Sequence, residues 1–192
     1  MKKRTYLLAA WLLIVGICPM QARTITQPGV KTPTTFAIII DETSYAKAHD
    51  AVEAYRRSVE QDGLGTYVAV DNWKSPDDIR TLLQQWHADK RSPLEGCVFI
   101  GDIPIPMLRD AQHLCSAFKM DQRRDWKRSS VPSDRFYDDF GLTFDFLKQD
   151  TDQPLYYYYS LRPDSRQYLS PDIYSARIKP VEVAGTDKYL NQ

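Results

Sequence analysis

The sequence predicts an α/β fold, a three-layer sandwich in which helices cover both faces of a mainly parallel sheet. Two observations carry this prediction. Three short apolar runs each end close to an aspartate, and segments with helical periodicity separate them. A strand–helix–strand alternation of this kind implies right-handed crossovers and therefore parallel neighbouring strands.

Residues 1–22 are typical of a secretory signal peptide. Three basic residues at positions 2–4 precede an apolar run over residues 6–17, and the small residue Ala22 follows. The apolar run is shorter than the roughly 20 residues that a membrane-spanning helix needs. Cleavage after Ala22 would change the net charge from zero to −3. We therefore expect an exported chain, secreted, periplasmic or on the cell surface, with no membrane contact after cleavage.

The three strands of the parallel sheet are predicted from their composition. Residues 23–35 are mostly polar and are expected to form a linker, so the α/β subdomain should span residues 36–192. Residues 36–40 are a continuous apolar run rich in β-branched side chains, as in strands that are buried on both faces. Residues 66–70 and 96–101 repeat this pattern.

Two helices are predicted between these strands. The first should be capped by Thr43 or Ser44 and should end at Gly63. The second should have Ser75 as its N-cap and Pro76 at its first helical position. Apolar residues recur at spacings of three and four in both segments, which predicts one buried face on each helix.

Beyond the third strand the pattern is less regular. Residues 107–120 have apolar side chains at helical spacing and predict a further helix. Residues 142–146, the tyrosine-rich residues 155–161 and residues 172–178 predict strands. Residues 186–192 resemble the opening of a helix, so we expect the fold to be incomplete at its C-terminal end.

Charge and motif content exclude several functions. The sequence has 25 Lys and Arg residues and 25 Asp and Glu residues, so no global basic field would attract nucleic acid. The basic run over residues 123–128 is expected to be a solvated loop. The sequence contains no phosphate-cradling glycine loop, serine nucleophile elbow or His-rich metal spacing. We therefore expect no nucleic-acid partner.

Three motifs in a fixed order resemble a known family. They are residues 99–102, which lead into a proline-rich loop, the acidic segment 134–139, and residues 176–180. Together they resemble the gingipain-like, caspase-fold cysteine peptidases over roughly residues 36–192. The resemblance implies a caspase-like, Rossmann-like half domain, and a peptide or protein substrate if the activity of the full-length family applies.

The sequence departs from the family pattern in two ways. Ala176 stands where the family usually has Gly, and Lys179 separates Ile178 from Pro180. The catalytic His and Cys of the family lie after the region of resemblance. The resemblance therefore implies the non-catalytic N-terminal subdomain and assigns no catalytic residue to this chain.

The cysteines and histidines do not predict a catalytic pair. Cys97 lies inside an apolar strand, where burial would raise the pKa of its thiol. Cys115 lies on the apolar stripe of the helix predicted over residues 107–120, and His113 would point to a different face of that helix. His49 and His87 lie off the apolar stripes and are expected to be solvated. Whether Cys97 and Cys115 form a disulfide stays open.

Aspartates follow the three predicted parallel strands. Asp41, Asp71 and Asp102 should lie at the carboxyl edge of the sheet, which is where open α/β sheets bind ligands. Aspartate also starts turns and caps helices, so both interpretations stay open. We expect Asp102 and Asp134 to approach one another at this edge, where they could hold Ca²⁺.

These observations favour an exported gingipain-like N-terminal subdomain, truncated and without peptidase activity by itself. One alternative is an extracytoplasmic glycan- or peptide-binding module that uses the crevice beside Asp102 and the tyrosine-rich strand. A second is a small hydrolase that uses a cation held by the aspartates. A parallel sheet that ends here would leave one edge strand exposed, so self-association through that edge is also expected.

Overall fold

A computed structural model describes residues 23–114 and 121–179 of the chain. The predicted signal peptide, Cys115 and the helix predicted over residues 186–192 lie outside the described residues. The elements follow in chain order: β1 (Thr24–Thr26), β2 (Thr35–Asp41), α1 (Glu42–Gln61), β3 (Gly65–Asp71), α2 (Pro76–His87), β4 (Leu94–Ile100), β5 (Ile105–Arg109), a 3₁₀ turn (Gln112–Leu114), α3 (Trp126–Ser129), β6 (Val131–Pro132), α4 (Arg135–Asp138), β7 (Phe144–Gln149), β8 (Tyr156–Leu161) and β9 (Tyr174–Ile178).

The described strands form two mixed sheets. The first has the order β1-β3-β2-β4-β9, in which β3, β2, β4 and β9 are parallel to one another and β1 is antiparallel to β3. The second has the order β6-β5-β8-β7, with β5 and β8 parallel and the two outer strands antiparallel. The predicted α/β class is confirmed at this level.

The central strands of the first sheet, β3, β2 and β4, are covered on both faces. On one face, alternate residues such as Ile38, Val68 and Val98 pack with Val52 of α1. On the other face, Ile39 and Phe99 belong to a larger core that includes α2, α4 and the inner face of the second sheet. The second sheet therefore lies on the face opposite α1, beside α2. No helix in the described part of the chain is long and apolar enough to span a bilayer.

The two helix starts differ in how well they were predicted. Ser75 caps α2 by accepting a hydrogen bond from the Asp77 N–H at 3.1 Å, and Pro76 is the first helical residue, as predicted. The start of α1 was predicted wrongly. Its cap is Asp41, whose Oδ1 accepts from the Ser44 N–H at 2.9 Å, so the helix begins before both Thr43 and Ser44.

The helix predicted over residues 107–120 is wrong at its start. Met107 and Leu108 belong to β5 and are both buried. Since adjacent residues of a strand point to opposite faces of the sheet, both faces of β5 are covered at this position. A strand buried on both faces has continuous apolar residues, which also fit helical spacing. The actual helical turn is limited to Gln112–Leu114, within the described residues.

Two other element boundaries differ between the prediction and the structure. Part of the segment predicted as a linker forms strand β1, which pairs with β3. The strand predicted over residues 142–146 begins at Phe144 and continues to Gln149. Within it Phe146 is 55% exposed, whereas Leu142, before the strand, is buried.

Two glycines with positive φ provide a matched test of this fold. Gly101 (φ 83°) follows β4, and a Cβ there would collide with the Asp41 carboxylate and the Ser44 side chain. Gly63 (φ 98°) follows α1 and has open space around it. Gly63→Ala should cost about 1–2 kcal/mol of unfolding free energy, from backbone conformation alone. Gly101→Ala should lower the unfolding free energy clearly more, because the Asp41 side chain must also move. Urea unfolding of both variants measures the difference. Equal losses of unfolding free energy in the two variants would contradict this prediction.

Candidate functional site at the carboxyl edge of the sheet

The guanidinium of Arg177 joins the three segments that carry the family resemblance. It donates to both carboxylate oxygens of Asp134, at 2.7 and 3.0 Å, and to the carbonyls of Ile103 and Pro104, at 3.0 and 3.2 Å. Strand β9 places Arg177 beside β4, and the guanidinium carbon lies 5.1 Å from the centre of the Phe99 ring. One side chain therefore links β9, the proline loop and the start of α4.

Two further hydrogen bonds hold the same three segments together. The Tyr137 hydroxyl of α4 donates to the Pro104 carbonyl at 2.8 Å, and the ring of Tyr137 is fully buried. The Gly101 N–H donates to the Ile178 carbonyl at 2.9 Å, which ties the end of β4 to the end of β9. The motifs that are separated in the sequence thus form one contiguous structure.

Arg80 of α2 fixes the position of α4 from the opposite side. Its guanidinium donates to the carbonyls of Phe136, Asp139, Phe140 and Leu142. These carbonyls belong to α4 and to the turn after it, where backbone acceptors are left unsatisfied by the helix. Burial lowers the pKa of Arg80, and neighbouring aspartates partly oppose this effect. The hydrogen bonds of Arg80 are therefore structural.

Asp138 is a buried carboxylate at the centre of the site. One of its oxygens, Oδ2, accepts from the Ser175 hydroxyl at 2.5 Å and lies 2.6 Å from Nη2 of Arg135. The other oxygen, Oδ1, is buried and has no hydrogen-bond partner within the described residues. Burial raises the pKa of Asp138 to about 6, against the lowering effect of Ser175 and Arg135. This carboxyl group therefore changes charge in a mildly acidic range.

Two acids near Asp138, Asp139 of the same segment and Asp172 before β9, have structural partners. Asp139 is fully buried, accepts from the Ser170 N–H at 2.8 Å and pairs with Arg166. Asp172 accepts from the Phe140 N–H at 2.7 Å. These contacts fix the loop that leads into β9, so the acidic run organises the approach of that strand to the sheet.

The three aspartates at the strand ends differ in their partners and in their exposure. Asp41 caps α1 and also accepts from the Asp102 N–H at 2.8 Å. Burial raises the pKa of Asp41, but the hydrogen bonds from Ser44, Asp102 and Thr43 outweigh this and lower it on balance. Asp71 pairs with Arg23 at 2.9 Å, whereas Asp102 is exposed.

The predicted Ca²⁺ site at Asp102 and Asp134 stays a prediction. Arg177 occupies both oxygens of Asp134 and also binds the carbonyl of Ile103, the residue after Asp102, so Asp134 and the backbone next to Asp102 share one guanidinium. No group of three or more His, Cys, Asp or Glu side chains in residues 23–114 and 121–179 is arranged to hold a metal ion. A cation would therefore need backbone oxygens or water as additional ligands.

Cys97 is a buried free thiol, as its position in an apolar strand predicted. It is 1% exposed, and burial raises the pKa of its thiol well above the usual value. His49 is exposed on α1 with Nδ1 3.0 Å from Asp50, consistent with a solvated side chain. The solvated interpretation of His87 is wrong: it is partly buried, and its Nδ1 lies 2.8 Å from the Leu94 carbonyl.

Three of the four tyrosine rings of strand β8 are not available for stacking on sugars. Tyr157, Tyr158 and Tyr159 are at most 7% exposed. Their hydroxyls donate to the Lys74 carbonyl, to Asp150 and to Asp77, respectively. Tyr157 and Tyr159 face the larger core, whereas Tyr158 points to the other face, where its ring centre lies 6.4 Å from that of Trp126.

Local acids balance the basic run over residues 123–128. Arg123 pairs with Asp121, Arg128 with Asp125 and Lys127 with Asp152. The side chains of Arg123 and Arg128 are 91% and 72% exposed, as expected of a solvated segment, but residues 126–128 lie in helix α3 and not in a loop.

Comparison of the chain with protein-family models, with curated proteins and with solved structures finds no match. The site residues therefore rest on the geometry of this chain. Sequence reasoning singled out the segments containing Asp138 and Arg177, but it missed Arg80. Its position on α2 lies beside the apolar stripe and carries no local signal of its long-range partners.

Asp138 should make stability depend on pH. Its pKa is raised in the folded state, so its stabilising contribution is complete below the unfolded pKa, near 4, and is lost as the pH rises through 6. Between pH 4 and 7 the unfolding free energy of wild type should fall by on the order of 2 kcal/mol relative to that of Asp138→Asn. Urea unfolding at each pH measures this difference. The matched control is Asp62→Asn, at an exposed position after α1, which should keep the pH dependence of wild type. The same pH dependence in wild type and in Asp138→Asn would contradict the assignment.

Proposed function

We propose that this chain is an exported protein corresponding to the N-terminal, non-catalytic subdomain of gingipain-like, caspase-fold cysteine peptidases. The observation that carries the proposal is the contact set of Arg177. It brings together the proline loop after Asp102, the acidic segment at Asp134 and the Ala176–Ile178 segment, which are the three motifs of the resemblance. Sharing one guanidinium makes the three motifs parts of one structural unit, and this supports the proposal.

Strand topology supports the same proposal. The parallel strands run in the order β3-β2-β4-β9, so the first strand of this set in the chain is internal and later strands are added on either side. Open α/β sheets of this kind bind ligands where the direction of strand addition reverses. Here that point lies between β2 and β4, beside Asp41 and Gly101. A caspase-like half domain would place its motif loops at this edge.

The absence of peptidase activity in this chain is proposed from the state of Cys97, the cysteine that lies within the described residues. A cysteine nucleophile acts as a thiolate within hydrogen-bond reach of a base. Cys97 has a raised pKa because it is buried between the sheet and the larger core. It therefore stays protonated at neutral pH and out of reach of a peptide. Export is proposed from the basic, apolar and small-residue pattern of residues 1–22.

The two alternative functions receive less support. The binding-module hypothesis relied partly on the tyrosine-rich strand, and three of its tyrosines are buried. The hydrolase hypothesis needs a cation held by several acids, whereas the described part of the chain has no group of three such ligands. The crevice beside Asp102 remains available to the first alternative, because Asp102 is exposed.

The proposal predicts an exported but catalytically inactive protein. The chain recovered from an exporting host should have its N-terminus near Arg23 by mass spectrometry. It should not cleave fluorogenic peptides with Arg or Lys before the scissile bond, with or without Ca²⁺. Cys97 should react with a thiol reagent only after denaturation, because folding buries its sulfur.

Cys97→Ala and Cys115→Ala are the controls for this assay. Alanine at position 97 should remove the thiol signal that appears on denaturation. Turnover that a thiol alkylator blocks, and that either substitution abolishes, would contradict the proposal and make the chain an enzyme in its own right.

The calcium prediction has a separate test. A cation that binds only the folded protein must raise its stability. Millimolar Ca²⁺ should raise the melting temperature of wild type, and should leave Asp102→Asn unchanged because an exposed ligand is lost. Mg²⁺ is the matched ion control. Identical responses of the two proteins to Ca²⁺ would reject Asp102 as a ligand.

A further inference from the structure

The outer edges of the two described sheets are protected to different degrees. Exposed edge strands invite pairing with another chain and are usually shortened, bulged or marked by Pro or Lys. Strand β1 has three residues, β6 has two including Pro132, and β7 has a register irregularity next to Lys148. Strand β9 has five residues, contains neither Pro nor Lys, and pairs with β4 without irregularity. Among these four edges, and as far as residues 23–114 and 121–179 show, β9 alone lacks such a device.

The unprotected edge continues into an apolar surface. Tyr174 and Ile178 are 50% and 52% exposed, and Ala176 lies between them on the same face of β9. Helix α1 packs on β2 and β3, so it leaves the β9 end of this face uncovered. The Tyr174 ring stacks on Phe36 at 6.0 Å, and Tyr55 of α1, 42% exposed, borders Phe36. Exposed apolar area of this kind marks an interaction surface.

The sequence of β9 is complementary to itself when two copies run antiparallel. A register centred on Ala176 places Tyr174 opposite the partner's Ile178, and the reverse pair forms across the axis. Aromatic residues opposite β-branched residues are favourable cross-strand pairs. On the other face, Ser175 lies opposite the partner's Arg177, so no like charges are opposed. A register centred on Arg177 would oppose two guanidinium groups.

The backbone N–H and C=O groups of β9 alternate in direction as this register requires. The Ile178 carbonyl accepts from the N–H of Gly101, the residue after β4. The backbone groups of Ile178, Ala176 and Tyr174 therefore point toward β4. Ser175 and Arg177 therefore direct theirs outward. In an antiparallel pair, residues that exchange both hydrogen bonds alternate with residues that exchange none. Ser175 and the partner's Arg177 would be a bonded pair, and the two Ala176 residues a non-bonded pair at the axis.

We propose that β9 is a homodimer interface, in which two copies pair antiparallel about a twofold axis at Ala176 and form one continuous sheet of ten strands. The side chains on the opposite face are already held within each copy, Ser175 by Asp138 and Arg177 by Asp134. Pairing therefore leaves those contacts intact and adds only backbone hydrogen bonds and the apolar stripe. The interface is independent of the proposed peptidase relationship.

Charge substitution at the axis tests the interface. Light scattering on the full exported chain should show a dimer that dissociates on dilution. Ala176→Lys and Ala176→Glu should each be monomeric, because like charges would face one another across the axis at about 4.5 Å between Cα atoms. A 1:1 mixture of the two variants should restore the dimer. Val30→Lys, at an exposed position outside the interface, should remain dimeric.

A cysteine cross-link tests the register. Non-bonded antiparallel pairs have Cα atoms about 4.5 Å apart, within the range of a disulfide. Ala176→Cys should form a covalent dimer on mild oxidation, Val30→Cys should not, and wild type gives the background from its own cysteines. A wild-type chain that stays monomeric at all concentrations would overturn the proposal. Coverage of β9 by another part of the same chain would give this result and would equally overturn it. A dimer that survives both charge substitutions would overturn it as well.

Discussion

The described structure depends on the salt bridge between Arg177 and Asp134, together with the two backbone carbonyls that share the same guanidinium. Its two side chains are only 16% and 23% exposed. Hydrogen bonds to charged groups contribute about 1.5–3 kcal/mol each, more than neutral ones. Arginine suits this position because its planar fork can bind a carboxylate with two donors and still reach other acceptors. Lysine would offer a single charged centre and could not span the same partners.

Two carboxyl groups near Arg177 differ in charge compensation: Asp134 is paired with the guanidinium, whereas Asp138 is not. The guanidinium compensates Asp134, while Asp138 lies in the same structure with one oxygen lacking a partner among the described residues. The two acids are four positions apart at the ends of a single helical turn, yet their environments differ. Asp134 is bound by a full positive charge and Asp138 mainly by a hydroxyl and a partly exposed arginine. Burial without full compensation explains why the pKa of Asp138 is raised.

Local pattern was sufficient to predict the first half of the fold. Strands β2, β3 and β4 and helix α2 follow from continuous apolar runs, from helical spacing and from the Ser75-Pro76 start. Strand β5 could not be predicted in this way, because its apolar residues fit a helix equally well. Its conformation is decided by pairing with β8, whose residues come about fifty positions later. Arg80 and the pairing of Asp134 with Arg177 depend on long-range contacts in the same manner, so the site was predicted as segments and not as interactions.

The long crossover between β4 and β9 has a consequence for how the chain folds. The strands are neighbours in the sheet, yet about seventy residues and the entire second sheet separate them in the sequence. Closing a loop of that length is entropically costly, and contacts between residues so far apart slow folding. Besides its pairing with β4, the side chains of β9 are held by Asp138 of α4, by Asp134 and by the proline loop. We therefore expect β9 to be the last strand of the first sheet to assemble. A chain that emerges from an export channel in N- to C-terminal order would pass through a stage in which β4 is itself the open edge.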